Sequence, residues 1–247
     1  MVPTGGGKIG LRKFIIGFQF ALLIGLTSLT LFVNQQLNYM QDKDLGYTKD
    51  GIMYVVMNAD SALYSTFKAE MEKEPEVLIV GSNGFMGTES YNQTTYRLEG
   101  TADIFDDAHI VDMDYDAAKA LGIKTSMDQR LANSNDMPAT TVLINRTLAE
   151  RYQTRFGINE ADLIGKAITQ EPEYTDPETN EIGFPINIEG IFEDIYMFSL
   201  HQQVEPMILT LLKAPYYPFW ATIAYRDSSP IDIRQKAEYI FSELSTT

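Results

Sequence analysis

The sequence predicts an α+β protein with one N-terminal membrane helix that continues into a stalk and then a mixed α/β domain outside the cytoplasm. Three observations predict it. Residues 14–33, from Phe14 to Val33, hold 20 residues without a charge. Every acidic residue lies beyond that run. Short apolar strands then alternate irregularly with helical patterns, without the regular βαβ repetition of a parallel sheet.

The apolar run comes first. At about 1.5 Å per residue, a helix of this length covers roughly 30 Å, the thickness of a bilayer's hydrocarbon core. A buried core helix would be shorter and would show a polar face, and a secretory signal would end in small residues. Asn34-Gln35-Gln36 follows instead, so the run reads as an uncleaved anchor. Lys8, Arg12 and Lys13 precede it with no acidic residue among them, which keeps residues 1–13 cytoplasmic and sends the rest outward. Gly17, Ala21 and Gly25 share one helix face, the small-xxx-small pattern that admits a partner helix closely within lipid.

Beyond the membrane, residues 34–46 are expected to continue the helix as a stalk, with Gly46 as its left-handed terminator. Residues 47–247 form the exported part, large enough for one domain or two smaller ones. The residues after the apolar run carry 16 basic against 34 acidic side chains, a net charge of −18. Such a balance excludes nucleic acid as a partner and favours a simple solubilising role for the charge. Cysteine is absent, which excludes disulfides, thiol catalysis and cysteine-ligated metal.

Within the exported part, 52–57 reads as a strand and 61–74 as a helix stopped by Pro75. Residues 77–80 form another strand, ended by a turn at Gly81-Ser82-Asn83-Gly84. Strands follow at 96–99 and 109–115, the second with Asp112, Asp114 and Asp116 set on a wet face by alternation. A short helix at 117–121 and a polar stretch at 126–138 lead to a strand at 140–144. Asn145 then caps a helix bearing Leu148, Tyr152 and Phe156 on one face, with Gly157 just past its end. The segment 170–183, rich in glutamate and proline, reads as an exposed loop. Strands at 186–192, 206–212 and 222–226 precede a final helix opened by Ser229-Pro230, in which Ile233, Ala237, Ile240 and Phe241 share a face.

The sequence offers no catalytic, cofactor-binding or metal-binding residue set. No phosphate-binding Gly-Lys-Ser/Thr loop and no Gly-x-Ser-x-Gly elbow occurs; Gly81, Gly84 and Gly87 lack dinucleotide spacing. Asp112-Met113-Asp114-Tyr115-Asp116 is not a calcium loop, because Ala117 and Ile123 stand where that loop requires glycine and glutamate. The two histidines are His109, on the apolar side of its strand, and His201, with no second histidine near it in sequence. Asn92 and Asn145 open glycosylation-type triplets, and the second is better explained as a helix cap.

The order of segments resembles the MacB/FtsX-type permease subunits of ABC transporters, particularly those common in Bacteroidetes. The matching pieces are 11–21 entering the membrane and 36–47 leaving it, then Asp114–Ile123 within 114–123, and 142–152 with Ile164-Gly165-Lys166. Residues 188–194, Ser199-Leu200-His201 and Glu205-Pro206 complete the set. The resemblance implies a periplasmic core domain on a bacterial inner-membrane helix. It also implies a cytoplasmic ATPase on a separate chain, further permease helices as partners within the bilayer, and a dimer. It implies a non-catalytic part that passes movement from membrane helices to the periplasm. Family members return to the membrane after this domain, so the chain is expected to be one piece of a longer permease. The alternative reading is a single-span anchored sensor or ligand-binding domain, and a third is an anchored hydrolase testable through His201→Ala.

Overall fold

The computed structural model describes every residue except 1–5, 58–60, 84–91, 128–138, 178–179, 181, 198–202, 214–218, 227–229 and 246–247. His201, Gly84 and Gly87 and most of the polar 126–138 stretch lie outside the described residues. The chain forms two units, Met1–Asp44 and Leu45–Thr247.

The first unit is helix α1, Gly6–Asp42, 37 residues without a break. Its apolar portion, Leu11–Met40, has a mean hydropathy of 2.0 and none of it is buried, so it is long and apolar enough to cross a membrane. Thr27 and Thr30 donate their hydroxyls to Leu23 O and Leu26 O, at 2.8 and 2.9 Å, and so leave no polar demand on the surroundings. The helix ends at Asp42, sooner than expected. Gly46 does take a left-handed φ of 78°, yet it lies beyond the helix end and serves the second unit instead.

The second unit is α+β. Its elements are β1 Ile52–Val56, α2 Ser61–Met71, β2 Val77–Asn83, β3 Asn92–Leu98, β4 Phe105–Asp114, α3 Tyr115–Ala120 and β5 Thr140–Asn145. They continue with α4 Arg146–Phe156, α5 Glu160–Leu163, β6 Ala167–Thr175, β7 Ile182–Phe192, β8 Met207–Leu212, β9 Trp220–Tyr225 and α6 Pro230–Ser245. Strand pairing runs β1-β9-β2-β4-β3-β6-β7-β5-β8, and β8 pairs back onto β4 in parallel. Six strands, β4-β3-β6-β7-β5-β8, therefore close into a barrel. The remaining three form a small sheet attached to it, among the described residues, through one bridge, Asn83 to Met113.

Alternation along the barrel strands separates two cores. One set fills the lumen: Tyr96 and Leu98 of β3, Ala108 of β4, Val142 and Ile144 of β5, Ile168 of β6, Ile188 of β7 and Ile208 of β8. Helix α4 adds Leu148, Ala149 and Tyr152 to that set, as its apolar face predicts. Arg151 on the same helix pairs with Asp107 of β4 through both terminal nitrogens, at 2.7 and 2.9 Å, and lies over the Phe105 ring. The outward residues Val111, Met113, Leu143, Phe192, Leu209 and Leu211 join Ala117, Ala118 and Leu121 in a second core around α3. A third core lies beneath α2 and α6, where Ile233 and Ala237 are buried and Ile240 and Phe241 pack against them.

Three expectations change. Gly81-Ser82-Asn83 is not a turn but the end of β2. A side chain at Gly81 would collide with the backbone of Ala117, so this glycine exists to let α3 approach the sheet. The segment 170–183 is not simply a loop. β6 and β7 pair from Ala167–Asn187 out to Thr175–Ile182, with an irregularity where Glu171 and Gly183 take φ of 48° and 60°. Stacking of Tyr174 on Phe184, 5.5 Å between ring centres, supports the outer part of that hairpin. Asp114, finally, is not on a wet face: it is 5% exposed and caps α3.

Candidate functional site at the root of the domain

The chain enters the second unit at Leu45, and its next residues are held on two sides. Leu45 O accepts from Tyr196 N at 2.9 Å, and Thr48 N donates to Leu121 O at 2.7 Å. Tyr47 packs on the core around α3. Between them Gly46 lies against the Asp194 carbonyl so closely that any Cβ would collide with it. Its positive φ and this close approach both demand glycine.

Asp194 carries the contact onward. Its carboxylate accepts from Thr147 N at 3.0 Å and from Thr147 Oγ1 at 2.8 Å, in the first turn of α4. A carboxylate there also meets the positive end of the helix dipole. Beside it, Arg146 binds Glu193 through two nitrogens, at 3.0 and 2.6 Å, and Glu160 of α5 at 2.7 Å. The Glu193 carboxyl is held below its ordinary range by those hydrogen bonds from Arg146, although burial opposes the shift.

Asn145 completes the joint. Fully buried, it accepts from Leu148 N at 3.1 Å as the cap of α4 and from Met207 N at 2.9 Å, and it donates to Glu205 O at 2.9 Å. His109, also fully buried, meets the Glu205 carboxylate through Nε2, while its backbone N donates to Pro206 O at 2.9 Å. Residues 145–147 thus tie the β5–α4 turn to the end of β7 and to the start of β8. These are the segments 142–152, 188–194 and 205–206, far apart in sequence, assembled at one place.

A second polar cluster joins the small sheet to the barrel. Asp114 accepts from Ala117 N at 2.7 Å, from Tyr64 OH of α2 at 3.0 Å and from the backbone of Ser82. Burial pushes its carboxyl up to about 6, outweighing the Ala117 hydrogen bond and the Lys68 charge. Burial, with the charge of Asp114 next, raises the Tyr64 hydroxyl well above its ordinary value. Lys68 pairs with Asp116.

The residues weighed for chemistry are placed as follows. Asp112 of β4 is itself exposed, Asp114 is buried and Asp116 is engaged with Lys68. Among the described residues no three His, Asp or Glu side chains converge to hold a metal. His109 ties β4 to the segment entering β8 through Nε2 and its backbone N. Asn145 is a helix cap with its side chain wholly inside, out of reach of any modification. Thr147, Asp194 and Glu205 stand in the sequence segments quoted for the resemblance, but sequence reasoning gave none of them a role or a partner. The only local signal was an Asn-Arg-Thr start to α4 and an Asp just past an apolar strand, neither of which names its partner.

No family model matches the chain, and no curated protein matches it. Among solved structures, the crystal structure of the periplasmic region of MacB from Actinobacillus actinomycetemcomitans is similar, at 10% identity and a TM-score of 0.48, covering 81% of this chain and 86% of that chain.

Proposed function

We propose that this chain is the extracytoplasmic part of an ABC-transporter permease subunit, carried on the transmembrane helix before it, and that it works by transmitting movement without chemistry of its own. On this reading Lys8, Arg12 and Lys13 keep the N-terminus in the cytoplasm of a bacterial inner membrane. A separate cytoplasmic ATPase supplies the energy, and the domain stands in the periplasm. The observation that carries the proposal is the root. Residues 45–48 are fastened both to the end of α3 and to residues 194–196, and Asp194 passes that hold to α4 on the barrel. A tether for a sensor needs no such fixing. A coupling device does, because a displacement reaches the domain only through contacts that do not yield.

The test uses hydrogen exchange on the full permease with its ATPase, in nanodiscs. Trapping the nucleotide-bound state is expected to change protection at 45–48 and 194–196. Inserting a six-residue Gly-Ser linker between Asp44 and Leu45 is expected to abolish that change while ATP hydrolysis continues. A response that survives the linker removes the root from the mechanism. Failure of any ABC ATPase to co-purify removes the transporter reading in favour of the anchored sensor.

A further inference from the structure

A cleft of about 490 Å³ opens between α5, the end of β7 and residues 124–126. Those three residues run antiparallel beside β7: Ser126 N donates to Ile191 O at 2.7 Å and Glu193 N to Lys124 O at 2.9 Å. The volume falls within the roughly 300–1,000 Å³ of small-molecule pockets. Arg146 lines the cleft with its two partners, Glu193 and Glu160. Three other polar groups in the lining stay open. Lys124 Nζ makes no hydrogen bond or ion pair among the described residues, although its charge reaches Glu193. Glu160 gives one carboxylate oxygen to Arg146 and keeps the other. Ser126 Oγ accepts from Ile191 N at 3.0 Å, which leaves its own hydrogen to donate. Beside them Ile164 is 49% exposed, and Ala161 extends the same apolar lining.

The lining therefore offers an uncommitted cation, an uncommitted carboxylate oxygen and a bare aliphatic side chain. Its four charged residues, Lys124, Arg146, Glu160 and Glu193, sum to zero, whereas the residues after the apolar run carry −18. A simple anion is repelled by that surrounding charge, and a simple cation leaves Lys124 unanswered. A zwitterion meets both signs without adding net charge. We propose that this cleft binds a zwitterion of dipeptide size with aliphatic side chains. Its carboxylate meets Lys124 Nζ and the Ser126 hydroxyl, its ammonium meets the open oxygen of Glu160, and a side chain covers Ile164. The inference does not rest on the transporter reading. It sets the ligand one residue from the root on two sides, because Arg146 adjoins Thr147 and Glu193 adjoins Asp194.

Isothermal titration calorimetry of the full chain in nanodiscs, with leucyl-leucine as the probe, tests the proposal. Saturable binding at one site is expected. Acetyl-leucyl-leucine lacks the ammonium and leucyl-leucinamide lacks the carboxylate, and each is expected to bind about tenfold more weakly or worse. In Lys124→Met the affinity for leucyl-leucine is expected to fall about tenfold, and its advantage over leucyl-leucinamide to vanish, because the partner of the carboxylate is gone. Lys124 is exposed, so the thermal transition of that variant is expected to match wild type. No saturable heat with leucyl-leucine, equal affinity for all three peptides, or a Lys124→Met variant that still prefers leucyl-leucine to its amide overturns the proposal.

Discussion

Replacing Asn145 by alanine tests whether the root joint holds the barrel together. The substitution removes three hydrogen bonds from a fully buried side chain. Loss of the α4 cap costs about 1 kcal/mol. Met207 N, which is buried, loses its acceptor, for about 2 kcal/mol. Glu205 is an exposed residue whose carbonyl can turn to water, so its loss adds little. The sum is about 3 kcal/mol, which for a domain of this size lowers the melting temperature by roughly 10 °C. The assay is urea unfolding of the full chain, followed by fluorescence of the single tryptophan, Trp220. Trp220 lies in β9, outside the barrel, so a shift at that probe also shows that sheet and barrel unfold as one. Asn145→Asp sharpens the test. It keeps the acceptor for Leu148 N and Met207 N but sets a buried carboxylate against Glu205 O. Its stability is expected to recover toward wild type as acid protonates it and restores a donor. A loss below about 0.5 kcal/mol in the alanine variant, or an aspartate variant indifferent to pH, would refute the reasoning.

Three further outcomes follow from the same geometry. The Asp114 carboxyl titrates near 6 in the folded domain against about 3.9 unfolded, so the native state holds the extra proton between those values. Its contribution is fully present below about pH 4, falls as pH rises, and is gone above about 6, a change of about 3 kcal/mol that Asp114→Asn should flatten in urea titrations across that window. Gly81→Ala drives a methyl into the Ala117 backbone and is expected to cost at least about 2 kcal/mol, read as a lowered urea midpoint. Gly46→Ala, strained by both its φ and the Asp194 carbonyl, is expected to destabilise by about 1–3 kcal/mol and to raise hydrogen exchange at Tyr196 before the rest of the domain.

Helix α1 was legible because an uncharged apolar run admits few other readings, and α4 because both of its caps are written locally in Asn145 and Gly157. α6 was legible through the spacing of its apolar face. Gly81 misled because a glycine after a strand suggests a turn, whereas here the missing side chain makes room for a helix that comes more than thirty residues later. Asp114 misled because alternation says which way a side chain points, not what lies there; Tyr64 and Lys68 of α2 cover it. Closure of the barrel depends on β4 meeting β8 in parallel, about a hundred residues apart, and no local pattern encodes it. The joint was hidden for the same reason. Asn145 announces a cap, but its other two hydrogen bonds reach a segment some sixty residues away.

Among the described residues a single bridge, Asn83 to Met113, links the small sheet to the barrel. Either side of it, strands are laced by full ladders that resist slipping, because a shift of one residue would turn every side chain to the wrong face. Across it, the described strands of the small sheet and the barrel share one rung, and the close approach of Gly81 to the Ala117 backbone keys β2 onto α3. The Tyr64–Asp114 and Lys68–Asp116 pairs therefore carry much of the connection between α2 and the start of α3.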